Sequence, residues 1–232
     1  MNTVNTQASS LSSRRWVLLV TVAFGLLLIT LDNSILYTAL PTLTVDLGAS
    51  ASQGLWIINA YPLVMAGLLL GSGTLGDRFG HRRLFLVGLT LFGAASLVAA
   101  FSPTPEVLIG ARALLAVGAA CMMPATLALI RLGFDDVRER NIAIAIWGSI
   151  SVVGAALGPI VGGALLERFW WGSVFLINIP VVIAALILTP LVVPAGTRDR
   201  AKKWDAISSL YALLTLTGAV LAIKEAAHTP QN

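Results

Sequence analysis

Charge is what this sequence lacks most. Only 11% of its 232 residues are Asp, Glu, Lys or Arg, against about 25% in a typical soluble domain, which is too few to cover a soluble surface. Cysteine is nearly absent as well. Cys121 stands alone in an apolar stretch, which excludes an internal disulfide and leaves the thiol no second cysteine for a metal site. The two histidines, His81 and His228, fall where a loop and a tail are expected and receive no role. The sequence has no P-loop, zinc-ligand spacing or nucleophile elbow. Gly71, Gly73, Gly76 and Gly80 imitate a phosphate-binding loop, but the strand before it and the Gly-Lys-Ser/Thr ending are missing. Neither an enzyme, a metal nor a cofactor is expected. A small-residue cleavage site is also lacking after the first apolar run, so that run reads as a retained span and not a signal peptide.

What the sequence has instead is apolar length. Hydrophobic residues make up 57%, and 21 Gly and 10 Pro are scattered through apolar runs instead of clustering in linkers. Such residues are tolerated inside membrane helices, where neighbouring helices satisfy the backbone. A spanning helix needs about 20 mostly apolar residues. Seven segments qualify, near 16–36, 55–73, 84–101, 108–130, 142–166, 174–193 and 207–223. The expected class is therefore an all-α membrane protein. Its expected organisation is a tail (1–15), a six-helix bundle (16–193), a loop (194–205), a seventh helix (206–223) and a final tail (224–232).

The basic residues set the orientation. Arg14 and Arg15 precede the first span; Arg78, Arg82 and Arg83 follow the second; Arg131, Arg138 and Arg140 follow the fourth; Arg198, Arg200, Lys202 and Lys203 follow the sixth. These alternate connections hold most of the 15 basic residues, and the positive-inside rule places them, with the N-terminus, in the cytoplasm. The pI of about 9.7 thus reports membrane orientation and not nucleic-acid binding. Trp16, Trp56, Trp170, Trp171 and Trp204 lie near span ends as an interfacial belt. Trp147, inside the fifth span, faces either a cavity or lipid. Asp135, Asp136, Arg138, Glu139 and Arg140 read as a solvated loop.

Three stretches carry a resemblance. After the second span runs Gly73-Thr-Leu-Gly-Asp-Arg-Phe-Gly-His-Arg-Arg83, with Gly76, Asp77, Arg78, Gly80, Arg82 and Arg83 spaced as in a known loop signature. The fifth span contains Gly154-Ala-Ala-Leu-Gly-Pro-Ile-Val-Gly-Gly163, and the first ends in Leu31-Asp-Asn-Ser-Ile-Leu-Tyr-Thr-Ala-Leu-Pro41. These resemble the major facilitator superfamily, and within it the fourteen-span drug:proton antiporters, the branch of quaternary-ammonium efflux proteins. Phe175-Leu-Ile-Asn-Ile-Pro180 and Ala222-Ile-Lys-Glu225 are similar to the same branch. The resemblance implies an N-terminal six-helix bundle of a major facilitator fold plus one extra helix, with the second half missing. It also implies a multi-pass protein of the cell membrane.

Two residues draw the chemistry. Asp32 and Arg112 are the ionisable groups inside the predicted spans. A charge at mid-membrane costs about 2.5–3.5 kcal/mol on insertion scales, so such residues mark function by default. Burial favours the neutral form of a carboxylate, so a group like Asp32 can hold a proton or a lipophilic cation but not both, which is the simplest basis for antiport. The alternative is a hydrated, structural Asp32 near the outer interface. Arg112 is similar to the family's span-four arginine, implicated in proton relay, although Gln and Gly of the usual pattern are replaced in Arg112-Ala-Leu-Leu-Ala116. Its alternative is a snorkelling side chain near the outer interface. The two lie on repeat-equivalent spans and are expected to line one central cavity. Asn59 stands where relatives of this branch often carry Asp, which favours monovalent over divalent cations.

Gly154, Gly158 and Gly162, four apart, share a helix face that admits close packing. Pro159 should bend that helix, and with Gly163 they form the antiporter motif, read as a seal against proton leak. The alternative is ordinary small-residue packing. In the loop signature, Gly76 and Gly80 should form a tight turn, Asp77 should meet a helix N-terminus, and the arginines should latch the cytoplasmic side. The function expected is proton-coupled efflux of lipophilic, cationic drugs or biocides, with the bilayer, protons and small lipophilic cations as partners. Two rivals stay open: an inactive half that needs a second copy or the missing C-terminal half, and a transporter for another small solute.

Overall fold

The computed structural model describes residues 2–194 and isolated positions between 207 and 219, with side chains from Arg14 onward. The seventh predicted span and the segments flanking it lie almost wholly outside the described residues. Among the described residues the chain is helical throughout: α1 (Asn2–Asp46), α2 (Ala51–Phe79), α3 (His81–Ala100), α4 (Pro105–Gly133), α5 (Val137–Arg168), the single turn α6 (Ser173–Leu176) and α7 (Asn178–Val192). Five helical segments among the described residues are long and apolar enough to cross a membrane, α6 and α7 together forming one of them. A sixth is added if α2 counts as one span despite a 55° bend between Ala51–Leu69 and Gly71–Phe79. The expected all-α membrane class holds.

Helix ends follow local chemistry. Ser50 caps α2 in a reciprocal box, its Oγ accepting from the Gln53 N–H at 3.2 Å while the Ser50 N–H donates to Gln53 Oε1 at 2.7 Å. Thr104 caps α4, followed by Pro105 in the first turn, where its missing N–H is harmless. Asp136 caps α5 by accepting from the Glu139 N–H at 2.8 Å.

These caps make the connections shorter than expected. α1 is already helical at Asn2, inside the predicted tail. The predicted loop after the second span shrinks to one residue, Gly80, whose φ of 96° suits glycine. Gly76 is not a turn residue but lies within α2, where any Cβ would collide with the His81 ring. The supposed solvated loop around Asp136 is instead the start of α5. Its Glu139 receives Arg15 Nη1 at 2.8 Å.

α1 packs most extensively on α5, and α4 on α2 and α3, while α7 rests on α1 and α3. Small residues let the backbones approach. At the α3–α4 crossing, Gly88 and Gly118 face each other so closely that a Cβ on either would stand 2.8 Å from the other's carbonyl oxygen. One end of the bundle gathers the arginines. Arg14 Nη2 donates to Leu191 O at 3.2 Å, Arg82 Nη2 to Pro190 O at 3.2 Å, and Trp16 meets Phe134 edge-on at 5.5 Å between centroids. Among the described residues, the basic segments before the first span, after the second and after the fourth therefore meet at one end. Trp171, expected in an interfacial belt, is buried instead among the core residues.

Candidate functional site

The centre of the bundle is polar. α4 presents one buried stripe, Leu108, Ala111, Arg112, Leu115, Ala116 and Ala119, spaced by a helical turn. Within it Arg112 is the largest of the fully buried side chains among the described residues. It does not snorkel. Its Nη1 donates to Asp32 Oδ2 at 2.5 Å, its Nη2 to Asn33 Oδ1 at 3.3 Å and its Nε to the Ile57 carbonyl oxygen at 3.3 Å. The Tyr61 ring lies under the guanidinium, 4.5 Å from centroid to Cζ, a cation–π contact strengthened by desolvation.

Asp32 is buried at 2% exposure, so a hydrated position at the interface does not describe it. Its second oxygen, Oδ1, accepts from Asn178 Nδ2 at 2.9 Å, and the same Nδ2 lies 3.2 Å from Ser96 Oγ. Five helices thus meet at one carboxylate–guanidinium pair: α1 gives Asp32 and Asn33, α2 Ile57 and Tyr61, α3 Ser96, α4 Arg112, and α7 Asn178. Asp32 and Arg112 touch directly and do not face each other across an open cavity. Burying two charges costs several kcal/mol each, recovered only with good geometry and added hydrogen bonds. The pair has both. Tyr61 Oη and Asn178 Oδ1 remain buried with no hydrogen-bond partner among the described residues.

The predicted antiporter motif forms a seam on α5. Added Cβ atoms on Gly154 and Gly158 would collide with the Thr30 and Ser34 side chains of α1, and one on Gly162 would press Ile35 and Thr38 at 3.3 Å. Ser34 Oγ donates to the Ala155 carbonyl oxygen at 2.6 Å across the seam. Gly163 differs, with nothing within 4 Å of its Cβ direction. Pro159 is exposed, and α5 runs through it to Arg168 without interruption. The seam packs against α1, the helix that carries Asp32, two residues before Ser34. Trp147 turns inward, its Nε1 donating to Thr126 Oγ1 of α4 at 3.1 Å.

The residues of the loop signature sit together at the basic end. Asp77 Oδ1 pairs with His81 Nε2 at 3.0 Å, so the acid reaches the first residue of α3 through its side chain. His81, expected to be exposed, is mostly covered there, at 15% exposure. Arg78 stacks over Phe79 at 5.4 Å, Arg82 binds α7, and Arg83 is exposed. Asn59 is half-buried on α2, two residues from Ile57 and Tyr61. Among the described residues no group of three or more His, Cys, Asp or Glu could hold a metal. Sequence reasoning found Asp32 and Arg112 by their charge. It missed Asn178, Tyr61 and Ser96, and the only signal for Asn178 was an amide inside an otherwise apolar span.

With this geometry, comparison with known proteins decides the family. The Major Facilitator Superfamily matches residues 22–230. The chain belongs to that superfamily. Curated relatives include the multidrug efflux pump LfrA of Mycolicibacterium smegmatis, 48% identical over 93% of this chain and 43% of its own. The methyl viologen resistance protein SmvA of Salmonella typhimurium is 51% identical over 81% of this chain and 38% of its own. The tetracenomycin C resistance and export protein of Streptomyces glaucescens is 36% identical over 94% and 40%. The chain therefore spans less than half the length of these relatives. Among solved structures, a peptide transporter POT crystal structure aligns with a TM-score of 0.69 and 20% identity, covering 94% of this chain and 46% of that one. That likeness bears on the fold alone. A multi-pass membrane protein of this superfamily contacts the bilayer through its apolar helices.

Proposed function

We propose that the chain forms the proton- and substrate-binding bundle of a secondary transporter that exports lipophilic, cationic compounds in exchange for protons. The buried Asp32–Arg112 pair carries this reading. A proton on Asp32 cancels the charge that holds Arg112, and a cationic substrate competes for the same carboxylate, so the two ligands exclude each other. Tyr61 and the Ile57 carbonyl give the released guanidinium somewhere to rest. The efflux relatives named above support the direction and the class of cargo. The α1–α5 glycine seam would keep the cavity wall tight against proton leak.

In this reading the protein lies in the cell membrane with its arginine-rich end, and hence its N-terminus, in the cytoplasm, as positive charge in short connections dictates. The Asp77–His81 pair with Arg78, Arg82 and Arg83 would form the cytoplasmic latch. Protonophore-sensitive ethidium efflux from cells expressing this chain is the test. Efflux that collapses with the protonophore supports the reading. Efflux that persists without a proton gradient overturns proton coupling.

A second reading has its own observation. α5 is buried at only Ala143, Gly154, Gly158 and Gly162, and an apolar groove of about 240 Å³ opens between α1 and α5. Such a surface suits a bundle completed by a second polypeptide or a second copy, since alternating access needs two bundles about one site. Ethidium efflux absent from cells with the chain demonstrably in the membrane favours this reading.

A further inference from the structure

Among the described residues Asn178 is the one neutral side chain shown bonding directly to the Asp32 carboxylate. It is fully buried, as is Ser96. In the structure its amide nitrogen provides two hydrogen bonds, to Asp32 Oδ1 at 2.9 Å and to Ser96 Oγ at 3.2 Å, while its amide oxygen has no partner among the described residues. This arrangement suits an ionised carboxylate, which only accepts. It serves the protonated acid less well, because the new O–H needs an acceptor and Asn178 presents only N–H to that oxygen.

We propose that Asn178 is a positioning residue that registers the protonation state of Asp32 by rotating its amide half a turn. The step balances simply. One proton from water binds the Asp32 carboxylate at Oδ1, taking that group from one negative charge to none, while Arg112 stays protonated. Rotation exchanges Asn178 Nδ2 and Oδ1. The amide oxygen then accepts from the new Asp32 O–H, and from Ser96, whose hydroxyl can donate as readily as accept. Two hydrogen bonds are present before and two after, so the amide supports either state. The unpartnered Oδ1 is what the ionised state leaves over, and the flipped state leaves the NH2 instead.

The position in the fold gives the switch an output. Asn178 is the first residue of α7, directly after the break at Ile177, and Pro180 in the first turn needs no partner for a missing N–H. α7 packs on α1 and α3. A change in how Asn178 is held therefore acts at the junction where the single turn α6 passes into α7.

The proposal rests on Asp32 taking up a proton, and the experiment separates the two. The chain, reconstituted in lipid nanodiscs, is studied by infrared difference spectroscopy between acid and alkaline buffer, with asparagine side chains carrying carbon-13. Protonated Asp32 shows as a carboxylic acid band that Asp32→Asn removes. Asn178 should show as an isotope-shifted amide band appearing with the acid band, and lost in both Asp32→Asn and Asn178→Leu. An acid band from Asp32 with no isotope-shifted amide change in the wild type overturns the role of Asn178 alone, without recourse to a variant that could misfold. No acid band from Asp32 overturns the protonation reading and this inference with it.

Discussion

α4 and α5 have similar lengths, 29 and 32 residues, and both are apolar enough to span a membrane, yet they are used differently. α4 is buried at fifteen positions, including the fully buried Arg112, and packs on both α2 and α3. α5 is buried at four, all glycine or alanine. In lipid an apolar side chain gains little by turning inward, because the solvent is as apolar as the core. What points a helix inward is polar matter that needs partners, and what seats it closely is the absence of side chains. α4 uses both devices, Arg112 and the Gly118–Gly88 crossing, while the buried positions of α5 rest on the second.

That contrast can be broken most sharply at α4. Replacing Arg112 with Leu leaves Asp32 as an uncompensated buried charge, which costs about 3–5 kcal/mol when a buried pair is broken. Denaturant or thermal unfolding in detergent should show a loss of that order. Adding Asp32→Asn to Arg112→Leu should recover much of it. Equal losses in the single and double variants would mean the pair is not what holds α4.

At α5 the expected damage is steric. Gly158→Val would drive a branched side chain into Ser34 and the Ile35 backbone, and overpacking of this kind costs about 1–3 kcal/mol. Gly163→Val, five residues on, meets open space and should leave stability unchanged. A matching loss at both positions would show that helix propensity, and not the seam, is being measured.

The smallest effect joins the two helices. Trp147→Phe keeps an aromatic ring, though a smaller one, and removes the hydrogen bond from α5 to Thr126 of α4, a loss of about 1 kcal/mol. Thr126→Val should cost a similar amount, and the double variant little more than either single one.

How much of this was legible follows from the same physics. Asp32 and Arg112 announce themselves because a lone charge in an apolar run is anomalous, and Gly154, Gly158 and Gly162 because their period is that of a helix face. Asn178 and Tyr61 carry no charge and no period, so only an amide within an apolar, family-like stretch hinted at the first and nothing at the second. Gly88 and Gly118 meet across two helices, a pairing that no single-segment pattern can show. The connections were misjudged for a different reason. Basic residues were assigned to loops, whereas Arg82, Arg131 and Arg138 lie within helices: α3 starts directly after Gly80, α4 runs on to Gly133, and α5 starts at the Asp136 cap.

The central claim is that one buried carboxylate serves proton and cation in turn. The most direct measurement is proton release in weakly buffered solution when tetraphenylphosphonium is added to the reconstituted chain. The account predicts that cation binding expels a proton and that Asp32→Asn abolishes the release. Cation binding with no proton release, or release that is undiminished in Asp32→Asn, would contradict it.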